Sequence, residues 1–353
     1  MSKFLSEKLS SLKAYEPGEQ PQDKKYIKLN TNESPYPTSD GVIKAINEQK
    51  IKDLRLYSDP ECKLLKSKLA EVYDTIPNKI FVGNGSDEIL NFAFMAYGQK
   101  GVAFADITYG FYSVFADLYG LDSQIIPLKE DFSLDVDGFL GLNKLIVIAN
   151  PNAPTGKEIS LDDVEKILKT NADNIVVIDE AYVDFGGNSC AKLTEKYDNL
   201  LCVQTFSKSR SMAGARLGFA IGNSEIIKDL EKIKYSTNPY NINSLTQIAG
   251  YSALVDNDYY LNNAKNIIKT REITTNKLRE LGFTVLDSKA NFIFAKSDKI
   301  DGKELYLKLK ENGVLVRHFT KDRINKFVRI TIGSEEEMQI FIEKVTKILG
   351  ELE

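Results

Sequence analysis

The stretch 145–182, LIVIANPNAPTGKEISLDDVEKILKTNADNIVVIDEAY, decides the fold. Residues 145–149 and 175–178 are short apolar runs bounded by polar residues, and residues 161–168 between them place their apolar side chains at helical spacing. A strand covered on both faces reads as a continuous apolar run, so the pattern predicts two buried parallel strands joined by a helix. Working outward, residues 62–73 show helical spacing, and residues 79–82 read as a strand entering Gly83-Asn84-Gly85-Ser86 and then a helix over 89–97. Runs at 200–203 and 217–221 add two more strands. The middle of the chain therefore reads as one open, mostly parallel α/β sheet flanked by helices. A long helical stretch over 248–281 leads out of it. Beyond that, runs at 284–286, 292–295, 314–316 and 327–332 alternate with helical segments and predict a smaller α/β layer. Residues 1–40 form an arm broken by Pro17-Gly18, Pro21, Pro35 and Pro37. The expected division is an arm over 1–40 that contributes to the small domain, a large domain over 41–250, and a small C-terminal domain over 251–353.

The chain has 353 residues, enough for two domains with a well-buried core. Its longest apolar runs fall far short of the roughly 20 residues of a membrane span, so no membrane partner is expected. A net charge of −4 provides no broad basic field, which argues against nucleic acid. Residues 1–11 mix Lys and Glu without an apolar core or a cleavage site, so a cytoplasmic protein is expected. Cys62, Cys190 and Cys202 lack paired metal spacing and are odd in number; they read as reduced structural thiols, with no metal site.

Three segments share the needs of one cofactor: Gly85-Ser86-Asp87, Ile178-Asp179-Glu180-Ala181-Tyr182, and Thr205-Phe206-Ser207-Lys208 followed by Gly214-Ala215-Arg216-Leu217-Gly218. Each alone also reads as a helix cap or a loop after a strand. Together, with Asn150-Pro151-Asn152-Ala153-Pro154-Thr155-Gly156, they resemble the fold-type I aminotransferases, which use pyridoxal 5'-phosphate. The resemblance implies a cofactor carried as a Schiff base on Lys208, whose freed amine then shuttles a proton. Asp179, at the end of an apolar strand, is placed to pair with the ring nitrogen, and Tyr182 resembles the residue that bonds the ring hydroxyl. Main-chain amides of Gly85, Ser86 and Asp87 at a helix start, hydroxyls of Thr205 and Ser207, and the fork of Arg216 can hold the phosphate. Tyr109 resembles the aromatic that stacks on the ring. Ala153 stands where relatives have an asparagine toward the ring hydroxyl; either Asn152 compensates or Tyr182 acts alone. Ile107 replaces a proline before Thr108-Tyr109.

Over nearly the whole chain the resemblance narrows to the histidinol-phosphate aminotransferases. It rests on the arm at 12–18 (LKAYEPG), on 29–37 (LNTNESPYP), on 54–60 (LRLYSDP), and on 313–317 and 328–333. In that family the counterpart of Tyr57 reaches the phosphate in a neighbouring subunit, which implies a homodimer with shared sites. The substrate implied is a phosphorylated amino alcohol paired with glutamate or 2-oxoglutarate. One arginine site must then take a phosphate or a carboxylate, and Arg329 is the first choice and Arg317 the second. Tyr15 and Asn32 join the substrate site by the same resemblance. His318 reads as an incidental neighbour of Arg317. Threonine-phosphate decarboxylases and aromatic amino-acid aminotransferases remain as alternatives.

Overall fold

A computed structural model describes residues 4–10 and 12–352, so the reading of residues 1–11 falls partly outside the described residues. The expected central sheet is present with seven strands: β2 (Ile80–Gly83), β3 (Val102–Ala105), β4 (Ser123–Ile126), β5 (Leu145–Ala149), β6 (Val176–Asp179), β7 (Leu200–Thr205) and β8 (Gly218–Gly222), following a two-residue β1 (Ile27–Lys28) in the arm. Their order across the sheet is β2-β8-β7-β6-β5-β3-β4. β4, β3, β5, β6 and β7 run parallel, whereas β8 is antiparallel to both β7 and β2. The reversal has a plain cause. The loop from β7 to β8, residues 206–217, carries no crossover helix, only a 3-10 turn at Ala213–Ala215, so β8 returns beside β7 in the opposite direction.

The helix predicted between β5 and β6 is Leu161–Thr170. Ser160 caps it by accepting from the Asp163 amide at 3.1 Å, and Asp162 and Asp163 place negative charge in its first turn. Val164, Ile167 and Leu168 on one face pack onto Ile146, Ile148, Val176 and Ile178. The helices Ser86–Tyr97, Phe111–Tyr119 and Ser224–Thr237 share the opposite core with Val147, Val177 and Val203. Both faces of the sheet are thus covered, which is why its central strands read as unbroken apolar runs. β3 carries the same signal, four apolar residues buried throughout, whereas β4 does not. β3 is half alanine, and β4 is an edge strand with exposed or half-buried residues at three of its four positions.

The helical stretch at 248–281 resolves into two helices, Ser244–Val255 and Asn257–Glu280, parted at Asp256, whose carboxylate accepts from the Gly41 amide at 3.1 Å. A second sheet follows, made of β9 (Phe283–Val285), β10 (Phe292–Ser297), β12 (Arg317–His318) and β13 (Phe327–Thr331), in the antiparallel order β12-β13-β10-β9. β11 (Val314–Leu315) pairs instead with β1, in parallel. The Leu29 amide extends that ladder to Leu315 O at 2.8 Å, and the Thr331 amide bonds back to Leu29 O at 2.9 Å. The arm is thereby stitched into the second sheet, and Leu29 lies in its core with Val314, Val328 and Ile330.

Candidate active site

Loops leaving β2, β3, β5, β6 and β7 meet at the carboxyl ends of the parallel strands, where open α/β sheets place their ligands. They enclose a cavity of about 180 Å³ between Asp179, Arg216 and Ser86. It opens into a second cavity of about 480 Å³ bounded by Arg317, Arg329 and Tyr15. Lys208, Tyr182, Tyr109, Thr31 and Ala153 line both.

Lys208 sits three residues past β7, half-buried, and its Nζ donates to Thr31 O at 3.2 Å. Burial pushes its amine down to about 8, and the charge of Arg329 pushes the same way. Part of the amine is then unprotonated near neutral pH, as a nucleophile requires. Asp179 ends β6 with its carboxylate inside the smaller cavity, only 5% exposed. Burial lifts this carboxyl to about 6, against hydrogen bonds from the Tyr112 hydroxyl to Oδ2 at 2.7 Å and from the Ala181 amide to Oδ1 at 3.2 Å. The Tyr182 ring stands edge-on to Phe292, and its hydroxyl accepts from Asn32 Nδ2 at 3.0 Å.

Opposite Lys208, the helix Ser86–Tyr97 begins at Gly85, whose φ of 78° favours glycine. Arg216 points at this helix start and pairs with Asp87 at 2.8 Å, and Tyr109 donates to the other oxygen of Asp87 at 2.8 Å. Thr205 Oγ1 and Ser207 Oγ lie 3.0 Å apart beside them. These residues fit pyridoxal phosphate: an amine, a buried carboxylate, a phenol, and an anion cradle of helix amides, hydroxyls and an arginine surround one cavity. The cradle has no slack. A methyl on Gly218 would lie 2.4 Å from the Ser86 nitrogen, and one on Gly85 would lie 2.6 Å from Arg216 Nη2.

Arg317 and Arg329 face each other directly across the β12–β13 pairing. Their recorded hydrogen bonds go to backbone carbonyls: Arg317 to Glu16 O and Pro17 O at 3.2 and 3.3 Å, and Arg329 Nη2 to Asn30 O at 2.9 Å. Among the described residues Arg329 Nε is buried without a partner, and burial lowers the affinity of this guanidinium for its proton. Tyr15 stacks on Phe111 at 4.2 Å and meets Tyr109 edge-on, forming an aromatic wall of the larger cavity. Asn32 lines this cavity in a left-handed conformation (φ 57°), with its amide bonded to Thr331 Oγ1 at 3.0 Å.

Two expected residues lie elsewhere. Asn152 borders neither cavity, because its side-chain amide is taken by Ile107 O and Thr155 Oγ1, each at 3.0 Å; the small side chain of Ala153 lines the wall instead. Tyr57 is 83% exposed and stacks on Tyr240, away from the cavities of its own chain. His318 binds Asn325 O and also stands outside them. The side chains of Asp87, Tyr112 and Glu33 had no sequence signal. Glu33 lines the smaller cavity, where burial raises its carboxyl but bonds from Lys28 and Thr31 outweigh that and hold it below the usual range.

The three cysteines are free and buried. Glu180, Cys190 and Cys202 bring possible ligand atoms within 4.8 Å of one another. Glu180 there already accepts from Ser189 Oγ, the Cys190 amide, Gln204 Nε2 and Cys202 Sγ, a closed hydrogen-bonded cluster. Among the described residues no helix is long and apolar enough to cross a membrane.

The family model for class I and II aminotransferases matches residues 24–345. A histidinol-phosphate aminotransferase of Brachyspira hyodysenteriae is 56% identical over 99% of both chains. Among solved structures, a histidinol-phosphate aminotransferase of Sinorhizobium meliloti in complex with pyridoxal 5'-phosphate superposes with a TM-score of 0.90, at 22% identity, over 100% of this chain and 99% of that one. An L-threonine-O-3-phosphate decarboxylase of Porphyromonas gingivalis reaches 0.81 at 21% identity, over 92% and 99% of the two chains, so the fold alone does not distinguish these reactions. The chain is matched along nearly its full length and folds around a site built for an aromatic phosphate; it belongs to the class I and II aminotransferase family.

Proposed function

We propose that this aminotransferase interconverts L-histidinol phosphate and 2-oxoglutarate with imidazole-acetol phosphate and L-glutamate, a step of histidine biosynthesis. The observation that carries the substrate assignment is the pairing of Arg317 with Arg329 at the wall of the larger cavity. Like charges directly opposite on neighbouring strands destabilise a sheet unless an anion lies between them. Histidinol phosphate has no carboxylate, so its phosphate must take the place that glutamate fills with one, and a planar guanidinium fork suits both. Tyr15, backed by Phe111, closes over the imidazole end, and Asn32 anchors the wall beside it.

Bound in the smaller cavity, pyridoxal 5'-phosphate supplies a carbonyl that takes up the amino group and a ring that withdraws electrons from the neighbouring carbon. Lys208 holds it and, once free, moves a proton through Nζ. Asp179 keeps a proton on the ring nitrogen. Tyr182, steadied by Asn32, donates to the ring hydroxyl without help from Asn152. The Gly85–Asp87 helix start, Thr205, Ser207 and Arg216 take the phosphate, and Tyr109 covers the ring. The cofactor groups belong to a large domain over 41–250, and the substrate groups belong to the arm (1–40) with a small domain (251–353).

The working form is a homodimer in the cytoplasm. Tyr57 reaches a neighbouring site, a reading supported by its exposure beside Ile51, Leu54 and Leu56, all at least half exposed. The deciding experiment is a substrate panel at saturating cofactor. It compares glutamate formation from 2-oxoglutarate with histidinol phosphate or phenylalanine as donor, and carbon dioxide release from threonine phosphate. The highest kcat/KM is expected with histidinol phosphate, and a higher value with phenylalanine would overturn the assignment.

A further inference from the structure

Tyr112 is fully buried, in the first turn of the helix Phe111–Tyr119. Its ring is enclosed by aromatic neighbours: Tyr109 edge-on at 5.7 Å, Phe104 at 6.0 Å and Phe94 at 6.4 Å. No apolar neighbour can satisfy its hydroxyl, and among the described residues its one partner is Asp179 Oδ2 at 2.7 Å. Of the two hydrogen bonds that the described residues make to that carboxylate, the phenol's is the shorter and the only one from a side chain. A phenol donating to a carboxylate favours the charged form and fixes its rotamer. Asp179 needs such help, because desolvation at this depth works against its charge.

We propose that Tyr112 is a positioning residue for transamination: through its hydrogen bond it keeps the Asp179 carboxylate ionised and aimed at the ring nitrogen of pyridoxal phosphate. This rests on the reading of Asp179 given above. The turn that leads into this helix then serves the cofactor twice, since Tyr109, whose carbonyl accepts the Tyr112 amide at 3.2 Å, lies at the ring while Tyr112 acts from behind the carboxylate. The other ionisable groups around Asp179 do not replace Tyr112. Asp87 at the helix start and Glu180 on the following loop raise its carboxyl further. Lys208, Arg216, Glu33 and Tyr182 border the same cavity with no recorded hydrogen bond to it.

The test is a cycle of four proteins, wild type, Tyr112→Phe, Asp179→Asn and the double variant, with the affinity of the apoprotein for pyridoxal phosphate read from its absorbance across pH 5–8. Tyr112→Phe keeps the ring's volume, and the thermal midpoint of each apoprotein checks that it has folded. The expected result is that Tyr112→Phe weakens cofactor binding about tenfold or more. It should also move the fall in affinity at acid pH to a higher pH than in the wild type, and change affinity by less than about twofold in the Asp179→Asn background. Equal loss in both backgrounds would make Tyr112 a packing residue and overturn the proposal, as would unchanged affinity and pH dependence. If Asp179→Asn alone bound the cofactor as tightly as the wild type, the role of Asp179 itself would be wrong, an outcome separable from a failure of Tyr112.

Discussion

Lys208 owes its reactivity to position. An amine held near 8 by burial and by Arg329 is available at a pH where a surface lysine is almost wholly protonated. Capture of pyridoxal phosphate by the apoprotein should therefore quicken as pH rises toward 8, and Arg329→Gln should move that rise upward, as stopped-flow absorbance would show. Lys208→Ala should lose about a thousandfold or more in turnover and leave no borohydride-stable adduct on the protein; normal turnover would refute its role. Asp179 works in the same direction, at lower pH. A carboxyl at about 6 in the empty site must shed its proton before it can pair with a ring nitrogen, so cofactor affinity should fall as pH drops through 6. Titrating the apoprotein with cofactor at several pH values, with Asp179→Asn as the control that lacks this step, checks it. Both residues were legible in the sequence because each follows an apolar run that had to be a buried strand. Tyr112 was not, because a tyrosine at a helix start gives no sign of what its hydroxyl faces. Asn152 misled for the same reason: next to Ala153 it had the right chemistry, but the turn aims it at Ile107 O.

At the scale of elements, the phosphate cradle depends on how closely β8 passes the first turn of the helix Ser86–Tyr97. Gly218→Ala would press a methyl against backbone, which can yield less than a side chain can. The expected cost is about 1–3 kcal/mol of stability, together with weaker cofactor binding, measurable by denaturant unfolding and by absorbance titration; an unchanged affinity would show that the cradle can widen. The glycines and the alternation of strands and helices were readable from residue type and spacing. The reversal of β8 and the presence of β3 and β4 were not, because strand direction leaves no mark in the strand itself, β3 is half alanine, a residue depleted in strands, and the edge strand β4 lacks the apolar run that marks buried ones.

At the scale of the molecule, the long helix Asn257–Glu280 joins the two sheets through Arg271, buried, with Nη1 bonded to Phe185 O and Ala290 O, both at 2.8 Å. Arg271→Met would strand those two carbonyls, and a loss of about 2–4 kcal/mol in unfolding free energy is expected from denaturant melts. The dimer makes a different prediction. If Tyr57 serves the neighbouring subunit, mixing Lys208→Ala with Tyr57→Ala protein and letting subunits exchange should yield more activity than the two contribute separately. No gain would mean that Tyr57 serves its own chain.

Pairing of β1 with β11 ties residues of the arm to residues some 290 positions later in the chain. Tyr15 and Asn32 belong to the arm that carries β1, Arg317 and Arg329 to the strands β12 and β13 that follow β11, and Asn32 and Thr331 bond across the join. On the proposed substrate site, preference would be inherited as two matched segments far apart in the chain. A single crossover between relatives with different substrates would separate them, whereas a double crossover that exchanged only the middle would carry a new cofactor site into an old specificity.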